Sequence, residues 1–152
     1  MSYRIDPESV ASILEIQALK SRYFRFVDSK DWKQLAALFA PDATMQFEGF
    51  QSAPMDLNAS IAFIGSALQN AVSVHHGHMP EIEILSSTSA RGLWVMEDRI
   101  HWPKKKPNPL GLEYLHGLGH YHEDYVRPGD CWLIRRLKVT RQWVKTIPQE
   151  DP

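Results

Sequence analysis

The chain has 152 residues, the size of one domain around a single hydrophobic core. With 17 Lys and Arg against 18 Asp and Glu, it has no basic surplus to neutralise a run of phosphates or to hold it on an anionic bilayer, so neither nucleic acid nor a membrane is expected as a partner. The N-terminal MSYRIDPES has no apolar signal core, no stretch approaches the roughly 20 apolar residues of a membrane span, and Cys131 has no second cysteine to pair with, which together suggest a reducing cytoplasm.

The first third has helical periodicity. Asp6 can cap and Pro7 fits a first helical position, after which Ile13, Ile16, Leu19, Tyr23 and Phe26 recur at spacings of three and four. Asp31 followed by Gln34 resembles a capping box opening a second short helix with Leu35, Leu38 and Phe39 on its apolar side and Pro41-Asp42 at its end. A third helix is expected over 58–71, with Ile61, Ile64, Ala67 and Leu68 inward.

From Val72 the period changes. Strand-like segments run over about 73–85, 88–102, 113–127 and 131–146, separated by the turn signals SST, PKKKPNP and RPGD. Helices first and a mostly antiparallel meander second predict an α+β fold, with helices on one face of a curved sheet and room for a pocket between the layers. The loop PKKKPNPLG, 103–111, is expected as a solvated connection over the pocket mouth or an oligomer contact.

Alternation along the strands selects candidate pocket residues. Trp94, Met96, Ile100 and Trp102 share a face on which Asp98 is the only charge; Leu133, Leu137, Val139 and Trp143 share one with Arg135 and Arg141. Charges on apolar faces are costly unless paired or used. On the first helix, Tyr23 and Asp28 stand about 140° apart around the axis, so both reach one cavity only if it wraps the helix end. A carboxylate near a helix C-terminus opposes the macrodipole and needs a reason to be there.

The segment SVHHGHMPEIEIL brings His75, His76 and His78 to the start of a strand. His76-x-His78 followed by Glu83 could supply half of a metal site for Zn, Fe or Mn, although the helical N-terminal third and the missing second half fit a cupin poorly. An acid-base role and a structural role are the competing readings.

The run IQALKSRYFRFVDSKDWKQLAALFAPDATMQFEG, followed by VHHGHMPEIEI, ARGLWVMED, GHYHEDYV and DCWLIRRLKVTRQWV, resembles over nearly the whole chain the SnoaL-like proteins of the nuclear transport factor 2-like superfamily. This resemblance implies one domain over 1–152, built as a cone-shaped α+β barrel. The greatest likeness is to cofactor-free dehydratases of the scytalone dehydratase and bile-acid 7α-dehydratase kind, which implies a lyase that needs no cofactor and no metal. Tyr23, Asp28 and either His75 or His76 match the catalytic positions, and Asp98 and Arg141 match further pocket positions. Trp94, Met96, Phe63 and Trp102 are expected to line a cavity for a small hydrophobic organic substrate, aromatic or polycyclic. His120 and His122 are candidate substrate contacts on another strand. An isomerase or cyclase, a ligand-binding module and a metal-dependent enzyme are the alternatives. Five tryptophans and several unassigned apolar faces suggest a homo-oligomer, a dimer or trimer.

Overall fold

A computed structural model describes residues 6–106 and 108–150. Helix α1 (Pro7–Ser29) begins where the Asp6 carboxylate accepts from the Ser9 backbone N–H at 2.9 Å and Pro7 supplies a helical φ. Its buried positions Ser12, Ile16, Leu19, Lys20, Tyr23 and Val27 form one stripe against the sheet. The helix ends at Lys30, which takes a left-handed φ of 61° and donates its N–H to the Val27 carbonyl, while the Asp31 N–H returns to Phe26. Asp31 then accepts from Gln34 N–H and opens α2 (Trp32–Ala36).

That second helix is a single turn, shorter than expected. Phe39 belongs to a strand, β1 (Phe39–Phe47), and not to the helix. Pro41 explains the difference: it cannot donate to a helical carbonyl, and it biases the preceding residue towards extended backbone. The strand accommodates it at an irregularity in pairing between Phe39 and Thr44. A two-residue strand β2 (Met55–Asp56) follows, and Asp56 caps α3 (Leu57–Leu68) through the Ala59 N–H at 2.8 Å.

The four long strands lie close to their expected bounds: β3 (Val72–Ser86), β4 (Ser89–His101), β5 (Leu112–Val126) and β6 (Leu133–Pro148). They pair as a consecutive antiparallel meander, and β1 joins β6 in parallel, giving one sheet in the order β2-β1-β6-β5-β4-β3. The architecture is the α+β cone, with α1 crossing onto the β3 edge and α3 onto β1. Among the described residues no helix is long and apolar enough to cross a membrane.

Bulges decide which side chains enter the core. In the β5–β6 ladder the register shifts around Arg135 and again around Gln142, so Ile134, Leu137 and Val139 point inward while Arg135 and Trp143 are exposed. Strict alternation puts Arg135 and Trp143 on the face with Leu137; the extra residues break that phase. Arg135 instead pairs with Asp42 on the surface at 2.8 Å. In β3 a bulge at Met79-Pro80 likewise brings Ile82 onto the inward face that Ser73 and His75 occupy before it.

Inside the narrow part of the cone lies a polar group that hydropathy does not announce. Lys20 and Glu123 are fully buried and ion-paired; the Tyr125 hydroxyl donates to Glu123, and the Trp94 indole N–H donates to Tyr125 at 2.9 Å. The Lys20 ammonium also stands 3.6 Å from the centre of the Tyr121 ring and 4.1 Å from that of Tyr23. Burial pulls its pKa down to about 8 against the supporting charge of Glu123. Removing one partner strands the other charge in an apolar interior. Lys20→Met is therefore expected to cost about 3–5 kcal/mol, and the double variant Lys20→Met/Glu123→Gln to recover much of that loss, as read by chemical denaturation; equal losses in both would show that the pair is not the source.

Candidate active site

The Asp28 carboxylate joins the end of α1 to the edge strand β3 through three donors. Its Oδ1 accepts from the Ser73 hydroxyl at 2.9 Å and stands 2.7 Å from His75 Nδ1, and its Oδ2 accepts from the His75 backbone N–H at 3.0 Å. Ser73 and His75 are two apart on a strand and so face the same side, whereas His76 faces the opposite side and is exposed. This parity places His75, and not His76, beside Asp28. Burial raises the Asp28 pKa, but the His75 ring and backbone bonds and the Ser73 hydroxyl outweigh it and hold the carboxyl below its ordinary value. An ionised carboxylate can only accept, so Nδ1 of His75 carries a proton, and in the neutral imidazole Nε2 is then the acceptor.

His75 lines a cavity between α1, α3 and the sheet, with an empty volume of about 580 Å³ including its open mouth. Tyr23 and Tyr121 form its inner wall; their rings meet edge to face at 6.1 Å. Burial drives the Tyr23 hydroxyl far above its usual pKa, and the negative charges of Glu123, Asp98 and Asp28 add to the effect, so Tyr23 is a neutral phenol able to donate. Burial does the same to Tyr121. The outer part of the cavity is apolar: Phe47 and Phe63 stack at 6.1 Å and 27°, and Phe50 and Leu110 complete that side. Leu110 comes from the lysine-rich loop, whose Lys104, Lys105 and Lys106 are exposed; Pro107 lies outside the described residues.

Asp98 and Arg141 supply the cavity's charges. Arg141 on β6 reaches over β5 to Asp98 on β4 and binds it with both terminal nitrogens, at 2.9 and 2.6 Å. The strand between them has no side chain in the way, because the residue paired with Asp98 is Gly117 and the one paired with Arg141 is Gly119. A Cβ at 117 would overlap both Arg141 Nη1 and Asp98 Oδ1. The bidentate grip leaves Arg141 Nε–H buried with no partner among the described residues.

Tyr23, His75, Asp98, Arg141 and Phe63 thus line one cavity, with Asp28 behind His75. The remaining candidates lie elsewhere. Trp94, Met96 and Trp102 are packed in the core and not on the cavity wall; Trp94 is bound to Tyr125, and Trp102 donates to the Ala67 carbonyl. His76 is on the outer face of the sheet. So are His120 and His122, of which His122 bonds Thr140 Oγ1 at 2.9 Å. On β5 it is the alternate set, Tyr121, Glu123 and Tyr125, that points inward. Glu83 is held by Arg91 at 2.7 Å and is not grouped with the histidines. Ser73, which bonds Asp28, and Tyr121, which lines the cavity, are residues that sequence reasoning missed; both stand at the inward phase of their strands.

Comparison with known proteins bears on the fold and the family. The probable cyclase FGR4 of Gibberella zeae is 25% identical over 153 residues, covering 94% of this chain and 97% of that protein. A structure assigned as a scytalone dehydratase from Novosphingobium aromaticivorans superposes with a TM-score of 0.76 at 18% identity, covering 92% of this chain and 90% of the other. The hexachlorocyclohexane dehydrochlorinase LinA-type3 of Novosphingobium barchaimii does so with a TM-score of 0.76 at 18% identity, covering 94% of each chain. At these identities the two structures establish a shared fold. The model of the SnoaL-like domain matches residues 8–138, and the chain belongs to that family.

Proposed function

We propose that the protein is a cofactor-independent lyase that removes water, or a small carbonyl fragment, from a hydroxylated aromatic or polycyclic molecule. The observation that carries this reading is the 2.7 Å contact of Asp28 with His75 Nδ1, which leaves Nε2 as the base on the cavity side. In the dehydration, Nε2 takes a proton from a carbon next to an activating carbonyl. The electron pair left behind forms the carbon–carbon double bond and expels the hydroxyl group, which leaves as water after taking the proton from His75. Tyr23 and the unpaired Nε–H of Arg141 are the donors available to the substrate oxygens, and the phenylalanine-rich side accepts a flat ring system.

A second reading has one specific support, the 25% identity to a cyclase over nearly the full length of both chains. The same carbanion could attack an electrophile within its own molecule and close a ring. The two outcomes separate by mass: elimination loses one water, and isomerising ring closure loses nothing.

Incubation of a panel of hydroxylated polycyclic ketones in heavy water, followed by NMR and mass spectrometry, should show a product formed by loss of one water, and recovered substrate that carries deuterium at the acidic carbon through reversal of the proton abstraction. Asp28→Asn is expected to lower that turnover by about 10²-fold or more in protein that stays folded, at some cost in stability, because it keeps the side chain's shape and removes the charge behind the imidazole. Full activity in this variant would falsify the dyad. Dialysis against a strong chelator should leave the rate unchanged; lost activity restored by one divalent metal would replace acid-base chemistry by metal chemistry.

Gly117→Ala tests the second charged pair without altering either partner. It is expected to displace the Asp98–Arg141 fork and reduce turnover by about 10-fold or more while the protein stays folded, and unchanged kinetics would remove the pair from the mechanism. Asp28 also sets an acid limit. Its folded pKa lies below the ordinary value of about 3.9, so its stabilisation is fully present above that pH and is lost as the pH falls through the lower folded value. Asp28→Asn should therefore lose less stability than the parent protein as the pH is lowered below about 4, measured by urea titration at each pH.

A further inference from the structure

The outer face of the sheet carries a cluster that the proposed elimination does not use. His76 and His78 are two apart on β3 and project to the same side, and Glu97 on β4 is the residue paired directly with His76. The two imidazoles lie 30° from parallel with ring centres 5.8 Å apart, and one ligand atom from each of the three side chains lies within 4.8 Å of the other two. Among the described residues this is the one group of three such side chains with that proximity.

Glu97 is prepared for a cation in a way that exposed carboxylates usually are not. Its Oε1 is held by Arg99 at 2.8 Å and by His116 Nε2 at 2.9 Å, while Oε2 is turned to His78 Nε2 at 3.9 Å. His116 is itself set by the Trp143 ring, edge to face at 5.3 Å. One oxygen fixed by neighbours and the other turned to an imidazole, with a second imidazole beside it, is the pattern of a carboxylate ligand with its supporting shell.

We propose that His76, His78 and Glu97 form a binding site for a borderline divalent transition metal such as Zn2+, on the opposite side of the sheet from the cavity. Two imidazoles and one carboxylate oxygen are the ligand set that suits such ions, and the solvent side leaves a fourth position for water. Around a metal about 2.0–2.1 Å from each ligand, the ligand atoms stand roughly 3.3 Å apart, so closure takes side-chain rotations on the order of an ångström. His76 and His78 are exposed and free to make them. Arg99 is the opposing influence, since its positive charge lies beside the same carboxylate; it occupies Oε1 and leaves Oε2 to the metal. A bound ion would fasten the edge strand β3 to β4 on both sides of Gly77, directly behind the strand residue that carries the proposed base.

The test is titration of chelator-stripped full-length protein with ZnCl2 by calorimetry, together with thermal unfolding with and without Zn2+. One ion per chain is expected, with a melting temperature that rises in the presence of Zn2+. His78→Ala and His76→Ala should each abolish both effects, and His116→Ala should weaken binding by about 10–100-fold by releasing Glu97. Glu83→Gln and His122→Ala should leave binding intact. Absence of Zn2+ uptake by the parent protein at micromolar concentrations, or uptake undiminished in His78→Ala, would overturn the site. Turnover on the cavity side serves as an independent readout: it stays unchanged in His78→Ala, whereas Asp28→Asn leaves Zn2+ binding intact, so failure of one proposal is distinguishable from failure of the other.

Discussion

The fold is organised around a carboxylate at a helix end that satisfies the edge of a sheet. β3 has a neighbour on one side only, so half of its backbone donors face away from the ladder. Asp28 takes one of them, the His75 N–H, and in the same contact takes the His75 ring and the Ser73 hydroxyl. An acid at the negative end of a helix is unfavourable by itself, and these three donors are what offset that placement. The same bonds that seal the edge also select the tautomer of His75. Structural closure and the proposed chemistry thus rest on one side chain.

Two further ion pairs divide the interior by depth. Lys20 and Glu123 sit in the narrow end, closed off from solvent, and hold Tyr125, Tyr121 and Trp94 around them. Asp98 and Arg141 lie in the cavity wall. Between them Tyr23 touches both environments. Burial first, and three nearby carboxylates after it, make its phenolate unfavourable, so it enters the site as a donor and not as a base. Each pair costs the burial of two ions, and in the second the guanidinium keeps a buried Nε–H with no partner among the described residues.

Much of this arrangement was legible from residue patterns, and the exceptions have physical causes. Asp6-Pro7 and Asp31-x-x-Gln34 mark helix starts because their caps are local, and the long strands follow from alternation and turn residues. Phase was harder to read. A bulge adds a residue without leaving a compositional trace, so Arg135 and Trp143 read as inward when they are not. On β5, His120 and His122 drew attention as chemistry-bearing residues, although the buried set Leu115, Tyr121 and Tyr125 shows that the other phase faces the core. Lys20 reads as a surface cation in sequence; only its distant partner Glu123, more than a hundred residues away, makes its burial tolerable. Strand β1 escaped notice because its local neighbours favour a helix and its pairing partner comes from the far end of the chain.

Gln142 is the extra residue between the Gly119–Arg141 and Leu118–Trp143 pairs. Excising it would turn no neighbouring side chain over: the ladder would run unbroken, with Arg141 still inward and Trp143 still outward. What would change is the bend, since an unpaired residue on one strand of a pair lengthens that side and coils the ribbon. Part of the bend beside Arg141 is therefore encoded as a surplus peptide unit, separately from the identities of the residues that line the wall. A relative with the same lining residues and no such surplus is expected to have a flatter ribbon at this point.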